Sequence, residues 1–192
     1  MYQISTSVVV RAPPAKVRQV IADLEKRFRL HPAWHVLNFE KLGERRFKVL
    51  VRKESGEEKE LRLVLTQVGD NKISYRDESS ELEAELLLEE TEHGVRLTQT
   101  ERFTLPWKPS EKTLRGMEEE LRFWLEAIKH YCELRDNPIA RTSKFIIDNF
   151  LLHLPPQQRR IVFLIIILNA GILILFILMF MGMKLARMFM NF

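Results

Sequence analysis

The sequence predicts an α+β protein: an antiparallel sheet of about seven strands packed on one long helix, followed by a separate apolar helix. Three observations carry that expectation. Seven short runs between Tyr2 and Thr104 have strand character, most alternating apolar with polar residues, and turn-forming residues separate them. Leu114 to Tyr131 repeats apolar residues at steps of three and four, the spacing of one helix face. Ile161 to Met183 holds no charged residue in 23 positions.

In chain order, Tyr2, Ile4, Thr6, Val8 and Val10 share one face of the first strand, with Gln3, Ser5 and Ser7 opposite. Ala12-Pro13-Pro14 ends it, and proline suits the first turn of a helix that carries Val17, Val20, Ile21 and Leu24 inward. A short basic piece, Glu25–Arg29, and a loop, Leu30-His31-Pro32-Ala33-Trp34, follow. Strands are expected over 36–42, 45–53, 59–68, 72–77, 82–92 and 95–104. Leu-Gly-Glu, Ser-Gly-Glu, Gly-Asp-Asn and His-Gly fill gaps between them as hairpin turns. Leu61, Leu63 and Leu65 alternate with polar neighbours, as do Leu82, Ala84, Leu86 and Leu88. One face is apolar and the other solvated, the mark of a sheet covered on one side. The cover is the helix that Pro109-Ser110 introduces, with Ser110 as its cap.

Charge divides the chain in two. Residues 1–135 hold 24 basic and 24 acidic residues, whereas 136–192 hold 6 and 2, so the tail carries the entire net charge of +4. A nucleic-acid partner would require a basic patch on the folded part, so none is expected. Cys132 is the single cysteine, which excludes an internal disulfide and suits a reducing compartment. No signal peptide is visible at the N-terminus.

At about 1.5 Å per residue, the 161–183 segment is long enough to cross a hydrocarbon core about 30 Å thick. Arg159 and Arg160 flank one end, Lys184 and Arg187 the other. With Arg141 and Lys144 also on the N-terminal side, the positive charge places the large part of the chain in the cytoplasm, a tail-anchored layout with 184–192 as a short tail. Asn169 and Gly171 mark a candidate self-association contact within the span. Between domain and span, 136–160 is a connector. Arg135-Asp136-Asn137-Pro138 stops the preceding helix, and Pro155-Pro156 breaks the next. Its apolar residues Ile139, Phe145, Ile146, Phe150, Leu151 and Leu154, with Arg141 and Lys144 between them, are expected to lie on the membrane surface, the alternative being a helix packed back on the soluble domain.

Candidate chemistry is sparse. Pro32 separates His31 from His35, which argues against a helical metal pair, and no Glu-x-x-His or Cys-x-x-Cys pattern supplies further ligands. No nucleophile–base arrangement, phosphate loop, metal or cofactor is expected. On the last strand Val95, Leu97, Gln99, Glu101 and Phe103 share a face, which would aim Gln99 and Glu101 into an apolar interior. The alternatives are a bulge that turns them to solvent, or pairing with an inward-facing base. Glu118-Glu119-Glu120 reads as the solvated back of the long helix, and Trp107 as a cavity rim or membrane contact.

Ala12-Pro13 with Val17, Val20-Ile21 and Asp23, then Pro32-Ala33-Trp34 and the Leu121–Glu133 helix, resemble the START-like (SRPBCC, helix-grip) superfamily over residues 1–135. That superfamily includes polyketide cyclase/dehydrase-like and coenzyme Q-binding proteins. Arg18 stands where many relatives place an aromatic residue. The resemblance implies a curved sheet gripping the long helix around an elongated apolar cavity. The residues then expected around the cavity are Trp34, Leu63, Leu65, Tyr75, Leu86, Leu97, Gln99, Phe103, Trp107, Met117, Leu121 and Trp124. Three functions are open at this point: membrane-tethered binding or transfer of a hydrophobic small molecule, a cyclase or dehydratase acting on an apolar substrate, and an interaction module with a filled core.

Overall fold

The computed structural model describes residues 1–134 and 138–190, which fall into two compact units, Met1–Pro155 and Pro156 onward. The expected helix stop at 135–137 lies outside the described residues.

The first unit contains all seven strands: β1 (Tyr2–Val10), β2 (Trp34–Lys41), β3 (Arg46–Lys53), β4 (Glu58–Val68), β5 (Lys72–Asp77), β6 (Leu82–Thr91) and β7 (Gly94–Phe103). They pair antiparallel throughout in the order β1-β7-β6-β5-β4-β3-β2, so the first strand closes against the last. Between β1 and β2 the chain crosses from one edge of the sheet to the other through α1 (Pro14–Ala22) and α2 (Leu24–Arg29). Pro14 opens α1, and Asp23 ends it while capping α2 by accepting from the Lys26 amide.

The register explains which side chains look inward. Tyr75, Ala84, Glu101 and Ile4 form one row across β5, β6, β7 and β1; Ile73, Leu86, Gln99 and Thr6 form the next. β7 runs without a bulge against both neighbours, so Gln99 and Glu101 do share the inner face with Val95 and Leu97. Bulges occur instead at Val36–Asn38 on β2 and Leu65–Gln67 on β4. The β6–β7 turn needs glycine. Gly94 has φ +135°, and a Cβ there would strike the Val10 carbonyl.

Across the inner face lies α3 (Glu111–Glu133). Ser110 caps it as expected, accepting from the Thr113 amide at 3.1 Å. Leu121, Trp124, Leu125, Ile128, Tyr131 and Cys132 make its buried stripe. Each fully buried aliphatic of this kind contributes about 1.5–3 kcal/mol.

Of the two placements open to the connector, the structure shows packing on the domain. Helix α4 (Pro138–Asn149) and the 3₁₀ turn Leu151–His153 belong to the first unit and dock on its surface. The Tyr131 hydroxyl donates to Asp148 Oδ1 at 2.6 Å, and Lys26 Nζ reaches Oδ2 at 3.4 Å. Lys26 and Lys144 stand over the Tyr131 ring at 5.5 and 5.4 Å. Leu152 is buried, and His35 Nε2 meets the His153 carbonyl at 3.1 Å. The physical reason is Asp148. A carboxylate on this basic helix finds both a hydroxyl donor and a cation on the domain, and lipid offers neither partner in a fixed place. Phe145, Ile146 and Phe150 remain exposed.

The second unit is one helix, α5 (Pro156–Met190). It starts at Pro156, the favoured place for proline, so Gln157–Arg160 are helical and do not form a separate link. Pro156–Met183 is long and apolar enough to cross a membrane, and its isoleucine, leucine, phenylalanine and methionine side chains are exposed. Asn169 donates to the Ile165 carbonyl at 2.8 Å, so its amide has a partner within its own helix.

Candidate functional site

Where α3 leaves the sheet, a cavity of about 210 Å³ remains. Met117, Leu121 and Trp124 of α3 form its roof. Leu61 and Leu63 of β4, Tyr75 of β5, Leu82 of β6 and Ile4 of β1 form its floor. Phe28, His31 and Trp34 close one side, and Lys53, Lys59, Ser80 and Glu120 add polar groups to the lining.

The closed side is an aromatic cluster. His31 stacks on Trp34 at 4.2 Å and meets Trp124 edge-on at 4.9 Å; Phe28 lies 5.4 Å from Trp124 and 6.0 Å from Trp34. Trp124 Nε1 is tied to the Arg27 carbonyl at 2.9 Å, which fixes the roof to α2. The cluster occupies volume that would otherwise be cavity. What remains is below the roughly 300–1,000 Å³ typical of pockets that bury a drug-sized ligand.

Four titratable groups on the wall behave differently. His31 Nδ1 accepts from the Ala33 amide at 3.2 Å, which leaves the proton on Nε2, 3.6 Å from Glu120 Oε1. Burial pushes Asp77 up, but hydrogen bonds from the Ser80 and Ser79 hydroxyls and the Arg62 and Ser79 amides outweigh it and hold the carboxylate below its usual range. Asp77 is therefore a turn-building residue. Glu101 goes the other way. Burial raises it to about 6, with Glu120 repelling it, while the Gln99 hydrogen bond at 2.8 Å, Arg27 and Lys59 pull it back only in part. The Tyr75 hydroxyl is held well above its usual range by burial.

Of the residues expected around a cavity, Trp34, Leu63, Tyr75, Met117, Leu121 and Trp124 line it. Trp34 does so from the first position of β2, where a loop was expected. Leu86, Leu97 and Phe103 are buried in the core away from it, because packed side chains fill the space above the β1-β7-β6 end of the sheet. Leu65 is only half-buried, beside the β4 bulge. Gln99 is fully buried and reaches the cavity only through Glu101. Trp107 is 61% exposed and sits outside the cavity. Glu120 is exposed, as expected, and its carboxylate also reaches the cavity, facing His31. Phe28 was legible as the i+4 continuation of Leu24; Arg27, read as part of a basic surface piece, had no signal. Among the described residues no cluster of His, Cys, Asp and Glu is placed to hold a metal.

Residues 1–133 match the family described as polyketide cyclase / dehydrase and lipid transport. The chain belongs to that family. Solved structures share the fold at low identity. An AHSA1-like protein from Aeromonas hydrophila has a TM-score of 0.54 at 16% identity, over 69% of this chain and 92% of that one. A protein from Chromobacterium violaceum gives 0.57 at 16% identity, over 69% and 99%. The di-domain ARO/CYC protein StfQ from the steffimycin biosynthetic pathway gives 0.54 at 16% identity, over 68% of this chain and half of that one. Among individually curated proteins none matches. The helix-grip architecture expected from the resemblance is thus the fold of this family member.

Proposed function

We propose that this family member binds a hydrophobic small molecule between the sheet and α3 while α5 tethers it to a membrane. The observation that carries the reading is the cavity itself: an apolar and aromatic space with a few polar groups, the usual make-up of a small-molecule site. Ligand contacts are assigned to Trp34, Leu63, Tyr75, Met117, Leu121 and Trp124, to which the lining adds Phe28 and Leu61. A tether raises the concentration of the domain near lipid-borne ligands. The distribution of Arg141, Lys144, Arg159 and Arg160 before the span against Lys184 and Arg187 after it favours a cytoplasmic domain. The exposed Phe145, Ile146 and Phe150 supply an apolar face suited to the head-group layer.

The test is organic extraction of the full chain, purified in detergent, with mass spectrometry of what is released. A stoichiometric apolar compound is expected from the parent protein, and Leu63→Trp, which fills the cavity, should abolish it. A parent protein that yields only bulk lipid, in the same proportion as Leu63→Trp, overturns the reading.

One observation favours a second reading, catalysis of the cyclase or dehydratase type. Glu101 lines the cavity with a proton affinity raised to about 6, where a carboxyl group can both give and take a proton near neutral pH. On this reading Glu101→Gln abolishes turnover of the bound compound and leaves its binding intact; unchanged turnover removes it.

A further inference from the structure

Arg27 is fully buried, yet none of its Nε, Nη1 and Nη2 has a hydrogen-bond partner in good geometry; the polar groups that act on it are the Tyr75 hydroxyl and Glu101. Its guanidinium lies 4.7 Å from the centre of the Tyr75 ring and 5.8 Å from those of Phe28 and Trp124. These three rings are themselves cavity wall, so the cation stands directly behind the lining. Ring faces recover part of the lost hydration of a cation but leave its N–H groups empty. The one carboxylate that acts on it within the protein is Glu101, whose Oε1 is already taken by Gln99. Two more polar atoms nearby are orphaned: Gln99 Oε1, and Trp34 Nε1 in the cavity wall. In the Tyr75–Ala84–Glu101 row the small Ala84 stands between the two side chains that act on the guanidinium. A buried cation without a well-formed counter-ion is costly, and within the protein only the Tyr75 hydroxyl and Glu101 offset that cost.

We infer that Arg27 is the head-group receptor of the cavity and that the bound molecule is a hydrophobic acid whose planar carboxylate pairs with this guanidinium. The inference rests on the small-molecule reading above and names its ligand class. A carboxylate matches the guanidinium fork with two parallel hydrogen bonds, and its flat shape suits a slot between rings. Glu101 lines the cavity and acts on Arg27, so the incoming carboxylate takes its place beside the guanidinium, and the hydrocarbon tail lies along Leu61, Leu63 and Leu121.

The test uses the full chain in nanodiscs, with empty nanodiscs as the blank, and decanoate labelled with ¹³C at the carboxyl as the probe. Decanol and methyl decanoate serve as competitors. The parent protein is expected to give a distinct bound carboxyl resonance and to hold the acid at least about tenfold more tightly than the alcohol or ester, as charge-assisted pairing implies. Arg27→Met, which keeps the stem and removes the charge, should lose that preference while still binding decanol. Arg27→Lys, which keeps the charge without the fork, should retain a weaker preference and decides the matter if the methionine variant does not fold. A parent protein that binds all three alike, or a folded Arg27→Met that keeps the acid preference, overturns the inference and leaves the small-molecule reading standing. Binding of none of the three overturns the inference together with that reading for chains of this size.

Discussion

Glu101 and Asp77 face the same cavity, and their environments drive them in opposite directions, so their replacement should have opposite signs. Below about pH 4.5 Glu101 is protonated in both folded and unfolded chains and contributes no pH dependence. Between there and about 6 the unfolded chain gives up its proton first, so folding loses stability as pH rises, by up to about 2 kcal/mol for a shift of that size. Contact with the cavity reduces that figure. Glu101→Gln is therefore expected to stabilise the protein by about 1 kcal/mol at pH 7 and by nothing at pH 4, read from denaturant midpoints. Asp77, held low by four hydrogen bonds, stabilises the fold above its unfolded value of 3.8 and loses that contribution as pH falls through its folded value. Asp77→Asn should destabilise by about 1–3 kcal/mol at pH 7, with the deficit shrinking in acid. An equal effect of both substitutions at both pH values would contradict the assignment of Asp77 to the turn and Glu101 to the cavity.

Elements show where local pattern suffices and where it fails. The seven strands, α3 and the apolar helix were legible because each has a period of its own and turn residues at its ends. Glu101 and Gln99 were legible for the same reason, since alternation along β7 continues without a bulge. The docking of α4 was not, because its decisive contact joins Asp148 to Tyr131 and Lys26, which are 17 and 122 residues away in sequence. Arg27 was hidden more deeply: a basic residue on a short basic helix reads as surface, and only the assembled ring cage shows otherwise. Two outcomes test the elements. Asp148→Ala should release α4, raising amide exchange across 141–149 while exchange in β5–β7 stays unchanged. Gly94→Ala forces a side chain into a left-handed backbone against the Val10 carbonyl, and should lower stability by more than about 1 kcal/mol, seen as a drop of several degrees in Tm. Equal exchange in α4 before and after the aspartate is removed would mean that the helix is held by its apolar contacts alone.

For the whole molecule the question is what medium it is built for. Met1–Pro155 buries its apolar residues around one core and carries balanced charge over its first 135 residues, so it has no need of a membrane to fold. Pro156–Met183 is the reverse, a helix whose isoleucines, leucines and phenylalanines find no cover in its own unit. Each such side chain left in water forgoes about 1.5–3 kcal/mol of transfer free energy, and the segment holds more than a dozen. No surface interaction of the domain approaches that sum, which is the physical basis for the proposed tether. The full chain is expected to partition into vesicles and to resist extraction by high salt, because the driving force is apolar transfer and owes little to the flanking bases. A chain ending at Pro155 is expected to stay in the supernatant, folded and monomeric. Release of the full chain by salt alone would show that the positive tail, and not the apolar helix, provides the attachment, and the cavity would then have to draw its ligand from water.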